Sequence, residues 1–295
     1  MTDRSITSEN AAALSGLFLM STLKGLAEVG EPTKFKSLIA ESNVVSVVNP
    51  DTKIREIFDL AFDFLIKRDF RSEYVYKAAL FEKIILGKNS VNTATAISEL
   101  RINQSKLDVA ILNGSSVAYE IKSERDNLRK VLKQVMDYRQ VFPEVVVVAG
   151  ENHLYKLLGI LPEEVGVMIL SRRFQLSELR PAVSDCSYLR SSAICSTLRL
   201  AEGKQILKDF GHKIPELPNT MIHEAVFSEL RQLSPVDLQY AMLRVMKKTR
   251  GLKPKADTID FLPRSLKSIT TSIRFTKKEL SRLQNRMDDP ISTMS

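Results

Sequence analysis

The segment Ser105–Asn127, "SKLDVAILNGSSVAYEIKSERDN", threads single charges through strand-forming apolar residues. Leu107, Val109 and Ile111 alternate with Asp108 and Ala110 before Asn113-Gly114, and Val117, Tyr119 and Ile121 alternate with Ala118, Glu120 and Lys122 after it. A period of two on both sides of Asn-Gly marks an antiparallel hairpin. Loop length then sets the register, because residues directly opposite each other share a face. A two-residue loop pairs Leu112 with Ser115 and mixes charged and apolar residues on both faces. A three-residue loop, with Gly114 in the left-handed conformation, pairs Leu112 with Ser116 and places Asp108 opposite Glu120. The faces then separate. One carries Leu107, Val109, Ile111, Val117, Tyr119 and Ile121 as an apolar surface for a helix; the other carries Asp108, Glu120 and Lys122 beside the small Ala110 and Ala118. The three-residue register is the expected one.

Two carboxylates facing each other at about 5 Å repel in a partly buried site. Lys122 relieves part of that repulsion. A divalent cation relieves it more fully, since hard oxygen ligands beside one lysine suit magnesium or manganese. A buried Asp-Lys-Glu salt-bridge cluster is the other reading of the same three residues.

Outward from the hairpin, "NTATAISELRI" adds a strand before it, so a three-stranded antiparallel meander is predicted from Asn92. A helix from about Arg125 to Val141 follows, closed by Pro143, and "EVVVVAG" reads as a strand buried on both faces. "GVMILS" adds a further strand. Upstream, "DTKIREIFDLAFDFLIKRDF" has helical spacing with Asp51 as its N-cap, and "SEYVYKAALFEKIILGK" is a second helix from near Ser72 to Gly87. Beyond Phe174 the pattern is helical and punctuated by prolines. The expected organisation is a helical region over 1–70, an α/β core over 71–175 and a helical, basic region over 176–295.

The 295 residues can bury a sizeable core. No stretch approaches the roughly 18 apolar residues of a membrane span, and no export signal is expected at the N-terminus. Cys186 and Cys195 suggest neither a disulfide framework nor a zinc site, so a cytoplasmic, reducing setting and no membrane partner are expected. His153, His212 and His223 are scattered and fit no nucleophilic arrangement. A net charge of +8 favours a polyanionic partner. The basic positions Lys247, Lys248, Arg250, Lys253, Lys255, Lys277, Lys278, Arg282 and Arg286 are either phosphate contacts or solvated helix faces.

"LDVAILNGSSVAYEIK" resembles the Asp-(x)n-Glu-x-Lys signature of the PD-(D/E)XK nuclease superfamily, and Gln134 and Tyr138 resemble the Gln-x-x-x-Tyr of its RecB-like branch. The resemblance covers roughly residues 71–150. It implies a restriction-endonuclease-like core of helix, three-stranded antiparallel meander, helix and strand, flanked by α-helical N- and C-terminal regions. It further implies that Asp108 and Glu120 bind Mg2+ or Mn2+ with the Ile121 carbonyl, that Lys122 is the catalytic lysine, and that Gln134 and Tyr138 help position substrate. Such sites add a carboxylate from the preceding helix. Glu73 and Glu82 are the candidates, with Glu73 favoured by its "RSEY" opening and Glu99 a further ligand. The implied function is a metal-dependent phosphodiesterase acting on DNA, less readily RNA, in a bacterial or phage-related setting such as defence or mobile-element biology, and a homodimer would cut both strands. A binding or interaction module that keeps the fold without chemistry is the alternative. A second Glu-x-Lys, Glu202-Gly203-Lys204, lacks both the strand pattern and the upstream Asp.

Overall fold

The computed structural model describes residues 10–67, 70–87, 92–214, 216–252, 256–272 and 275–294. In chain order its elements are α1 (Ala11–Leu17), α2 (Met20–Ala27), α3 (Thr33–Ser42), α4 (Ile54–Leu65) and α5 (Glu73–Leu80), then β1 (Thr95–Ile102), β2 (Ser105–Leu112) and β3 (Ser116–Lys122). There follow α6 (Val131–Arg139), β4 (Glu144–Gly150), α7 (Leu154–Ile160), β5 (Gly166–Leu170) and β6 (Leu176–Arg180). The chain closes with α8 (Ser191–Thr197), α9 (Leu200–Asp209), α10 (Asn219–Arg231), α11 (Pro235–Arg250), α12 (Ala256–Phe261) and α13 (Lys277–Asp288). The protein is mixed α/β.

These elements cluster into two units. One gathers the described residues up to Ile84, Arg172–Phe174 and those from Ala256 onward; the other gathers Ile85 to Ser171 and Gln175 to Leu252. The first unit is helical, around an aromatic core. Phe18 stacks on Tyr74 at 4.6 Å, and Phe62 meets Phe174 edge-on at 5.7 Å. The α4 stripe of Ile54, Ile57, Phe58, Ala61, Phe62 and Leu65 is buried as its spacing predicts. Its start differs. Lys53, not Asp51, is the N-cap, because the Glu56 carboxylate folds back to accept the Lys53 amide at 2.9 Å.

The second unit is built on a sheet whose six strands, among the described residues, run in the order β1-β2-β3-β4-β5-β6. The first three form the antiparallel meander, β4 and β5 pair in parallel with β3 and β4, and β6 returns antiparallel. The hairpin takes the three-residue register, with Leu112 opposite Ser116 and Val109 opposite Tyr119. Gly114 is not among the residues in the left-handed region. The turn closes instead through the Asn113 amide to the Ser115 carbonyl at 2.9 Å, while Lys247 on α11 donates to the Asn113 carbonyl at 2.7 Å. Strand β6 was not expected. Its "LSELR" has no β-branched residue and lies mostly exposed at the sheet edge, so only pairing with β5 reveals it.

Val109, Ile111, Tyr119 and Ile121 of the apolar face are buried, but helix α6 packs on the opposite face of the meander. Ala110, Leu112 and Ala118 share a buried core with Val131, Val135 and Tyr138 of α6 and with Val145, Val147 and Ala149 of β4. The two alanines are why: with no side chain beyond Cβ they let α6 close onto the strands. Residues 123–130 do not join the helix. The Ser123 amide and hydroxyl both donate to Asp126, at 2.8 and 2.7 Å, which offers this backbone an alternative to helix.

Behind the sheet, Glu202 on α9 is 2 % exposed. Its burial alone would raise its pKa, but hydrogen bonds from Arg250, the Arg199 amide and Thr249 hold it below the ordinary carboxylate value. A depressed folded pKa stabilises above the unfolded value of about 4.3 and loses that contribution as pH falls through the folded value. Glu202→Gln is therefore expected to be less stable than the parent in urea at pH 7, with the gap narrowing as pH drops below about 4. Packing at glycines gives a second test. A Cβ at Gly166 would sit 2.9 Å from the Ala182 backbone nitrogen, whereas one at Gly25 in α2 meets nothing within 4 Å. Gly166→Ala should cost about 1–3 kcal/mol and Gly25→Ala should gain about 0.5–1 kcal/mol in the same assay.

Candidate functional site

Glu120 lies on β3 and is 1 % exposed. A carboxylate taken that far from water is costly unless it is paired and hydrogen-bonded. Both of its oxygens are held: Oε1 by Lys122 Nζ at 2.7 Å and Oε2 by the Tyr138 hydroxyl at 2.7 Å. Lys122 is on the same face because it is two residues along the strand. Its ammonium also donates to Gln134 Oε1 at 2.9 Å, and Gln134 Nε2 lies 3.5 Å from the Tyr138 oxygen. Gln134 and Tyr138 are one helical turn apart on α6, so a single helix delivers both. Burial, and then the Glu120 charge, push the Tyr138 phenol far above its usual value, so it remains a protonated donor.

Asp108 stands beside this group in a different role. The paired positions of β2 and β3 run only as far as Val109 and Tyr119, and the next inward amide, Ile121 N–H, donates to Asp108 Oδ2 at 2.7 Å. Below that point β2 turns towards α6. The Lys106 carbonyl accepts from the Tyr138 hydroxyl at 3.0 Å, the Ser105 hydroxyl donates to Asp137 at 2.5 Å, and Leu107 joins the core under α6. Tyr138 has one proton for two acceptors, Glu120 and Lys106. Ser105 and Asp137 were not singled out from sequence; Asp137 lies three residues from Gln134 along the helix that holds it, which is the one signal that pointed to it.

The remaining candidates are arranged otherwise. Glu99 sits in the middle of β1 with φ +62° and its carboxylate is paired with Lys106 at 2.6 Å. Glu73 opens α5 in the helical unit, where Lys77 engages it at 2.6 Å. Glu82 is held by Lys83 at 2.6 Å and by Arg264 at 2.8 Å; burial raises its pKa less than these cations lower it. Among the described residues no group of three or more His, Cys, Asp or Glu gathers as a metal cluster. Cys186 and Cys195 are both free thiols, and burial pushes Cys195 up to about 11. His153 binds the Ser123 carbonyl at 2.9 Å, and the second Glu-x-Lys lies on helix α9 with Glu202 consumed by Arg250.

Several of the basic C-terminal residues are structural. Arg250 binds Glu202 and the Thr197 carbonyl, Arg282 donates to the Ala27 carbonyl at 2.7 Å, and Arg286 donates to the Leu26 carbonyl at 3.0 Å. Lys248, Lys277 and Lys278 are exposed, while Lys253 and Lys255 fall outside the described residues.

With this geometry in view, the family described as bacteriophage P4 protein cII matches residues 66–284, about three quarters of the sequence. The chain belongs to that family. Protein cII of Enterobacteria phage P4 is 30 % identical over 146 residues, which cover 47 % of this chain and 54 % of that protein. The chain thus matches about half the length of this relative. Among solved structures, a protein of unknown function from Silicibacter pomeroyi is 20 % identical with a TM-score of 0.28, covering 42 % of this chain and 86 % of that one. No helix among the described residues is long and apolar enough to cross a membrane.

The burial of this pair sets its energetics. Lys122→Met should leave the Glu120 charge unpaired and cost about 3–5 kcal/mol in equilibrium urea unfolding, and adding Glu120→Gln should return most of that loss. Independent, additive effects of the two substitutions would show that the ion pair does not hold the structure.

Proposed function

We propose that the protein is a metal-dependent nuclease with a restriction-endonuclease-like core, acting on DNA in preference to RNA. The observation that carries this reading is the Glu120–Lys122–Gln134–Tyr138 network, in which one strand and one helix meet at a single lysine, with Asp108 of the neighbouring strand bound to the Ile121 amide at its border. The donor set fits a magnesium-class ion in its chemistry. Asp108 and Glu120 supply hard anionic oxygens, Ile121 adds a carbonyl from the same strand, and such ions keep several positions for water and phosphate. When bound, the ion would lower the pKa of a water and neutralise charge on the scissile phosphate.

The chain's own residues have separate parts in this reading. Lys122, fixed between Glu120 and Gln134, holds a cation where negative charge grows on the phosphate, and needs no reorganisation to do so. Tyr138 stays protonated and sets the orientation of Glu120. Gln134 orients the Lys122 ammonium. Asp108, held in place by the Ile121 amide, contributes a carboxylate to ligation. The relative's phage origin accords with a setting in mobile-element biology.

A second reading has its own support. Glu120 is buried and both its oxygens are engaged, and the Lys122 side chain is only 11 % exposed, as befits a structural ion pair in a module that binds nucleic acid or protein without cutting. The two readings part on Asp108→Asn, whose amide oxygen can still accept the Ile121 N–H while the charge is lost. Wild-type protein with magnesium or manganese should nick supercoiled plasmid. Asp108→Asn should keep its melting temperature within a few degrees and lose cleavage by about 100-fold or more. Absence of wild-type cleavage on every DNA and RNA form, with either metal, would establish the module instead.

A further inference from the structure

The loop that follows Lys122 carries a second charged feature; of the C-terminal lysines and arginines, Lys247, Arg250, Arg282 and Arg286 are bound to the protein's own acceptors, while Lys248, Lys277 and Lys278 are exposed. Arg125, Arg129, Lys130 and Lys133 are all exposed within one short stretch running from the end of β3 into α6. The stretch is fixed. His153 holds the Ser123 carbonyl at 2.9 Å, Asn152 holds the Glu124 carbonyl at 3.0 Å, and Asp126 closes the turn by accepting the Ser123 amide and hydroxyl. Gly150 has a matching constraint, since a Cβ there would approach the Glu124 side chain to 2.8 Å. Asp126 is spent on the turn and α6 has no acid in its first turn, while Lys133 pairs with Asp137 at 3.8 Å and donates to Gln104 at 3.2 Å, so the surface rests on the exposed Arg129 and Lys130. Lys130 is four residues before Gln134, hence one helical turn from the side chain that orients Lys122.

We infer that this loop and the first turn of α6 form the wall that receives the nucleic-acid backbone, with Arg129 and Lys130 contacting phosphates beside the one held at Lys122. The inference rests on the nucleic-acid reading above and adds to it the surface that binds the strand. A rigid loop loses little entropy on binding, and an extended run of cations beside a single reactive position suits a polyanion rather than a small phosphate ester.

The test is equilibrium binding of a labelled DNA duplex, measured in EDTA over a range of salt so that cleavage does not enter. The full-length wild type, Arg129→Gln/Lys130→Gln and, as a control, Lys277→Gln/Lys278→Gln on α13 are compared, each checked for an unchanged thermal melt. Arg129→Gln and Lys130→Gln are also made singly, in case the double variant does not fold. Each lost phosphate contact flattens the log-log salt slope by about 0.9, so the double variant should lose about 2 from its slope, each single about 1, and the control nothing. A wild-type slope retained in the loop variants, or an equal loss in the control, overturns the assignment while leaving the cleavage reading intact. Failure of the wild type to bind any nucleic acid would remove both readings together.

Discussion

Burying the Glu120 carboxylate is the constraint from which the rest of the sheet face follows. An unpaired charge at that depth would cost several kcal/mol, comparable to the whole stability of many domains. The chain meets it with one cation from the same strand and one phenol from the following helix. Tyr138 can reach only if α6 lies close against β2 and β3, which Ala110 and Ala118 permit. Gln134 then falls, by helical geometry alone, beside the Lys122 ammonium. Two alanines, one buried acid and a four-residue spacing thereby specify the position of an entire helix.

This explains which parts were legible in the sequence. The hairpin register was, because a slip by one residue would send Glu120 to the other face, and only the three-residue loop keeps the charges together. The Gln134–Tyr138 pair was legible through its resemblance to the Gln-x-x-x-Tyr spacing, and one helix carries both residues. The face that α6 takes was not legible, because close approach selects the alanines, although Val109, Ile111, Tyr119 and Ile121 on the apolar face are buried as well. Strand β6 escaped because its residues carry no strand preference and its order comes from β5. The later start of α6, at Val131 rather than near Arg125, turned on one Ser-Asp pair.

The basic residues show a different limit. Charge is written in the sequence, but its partner is set by residues far away along the chain. Arg286 and Arg282 donate to carbonyls around the end of α2, where a helix leaves its last acceptors unpaired and cations are favoured. Arg250 offsets a buried glutamate on α9. Both roles look, in one dimension, the same as a solvent-facing lysine such as Lys277. Net charge therefore argued for a polyanionic partner without locating its contact surface.

Asp108 and Glu99 show how the sheet makes room for the site. The pairing of β1 with β2 passes from Ser98 opposite Val109 to Leu100 opposite Leu107 and skips Glu99 and Asp108. Glu99 takes the left-handed conformation there, at a cost of about 1–2 kcal/mol for a residue with a Cβ. On the other side of β2 the pairing with β3 also ends at Val109, and the Asp108 carboxylate takes the Ile121 amide in place of a ladder partner. Both interruptions fall at one residue. They free β2 to bend, so that Lys106 and Ser105 meet α6 rather than β3. A regular ladder would have kept Asp108 flat against Glu120 with two carboxylates in repulsion. The broken one separates their duties, giving Asp108 a neutral amide and Glu120 a cation, and the strain at Glu99 is the cost of that separation.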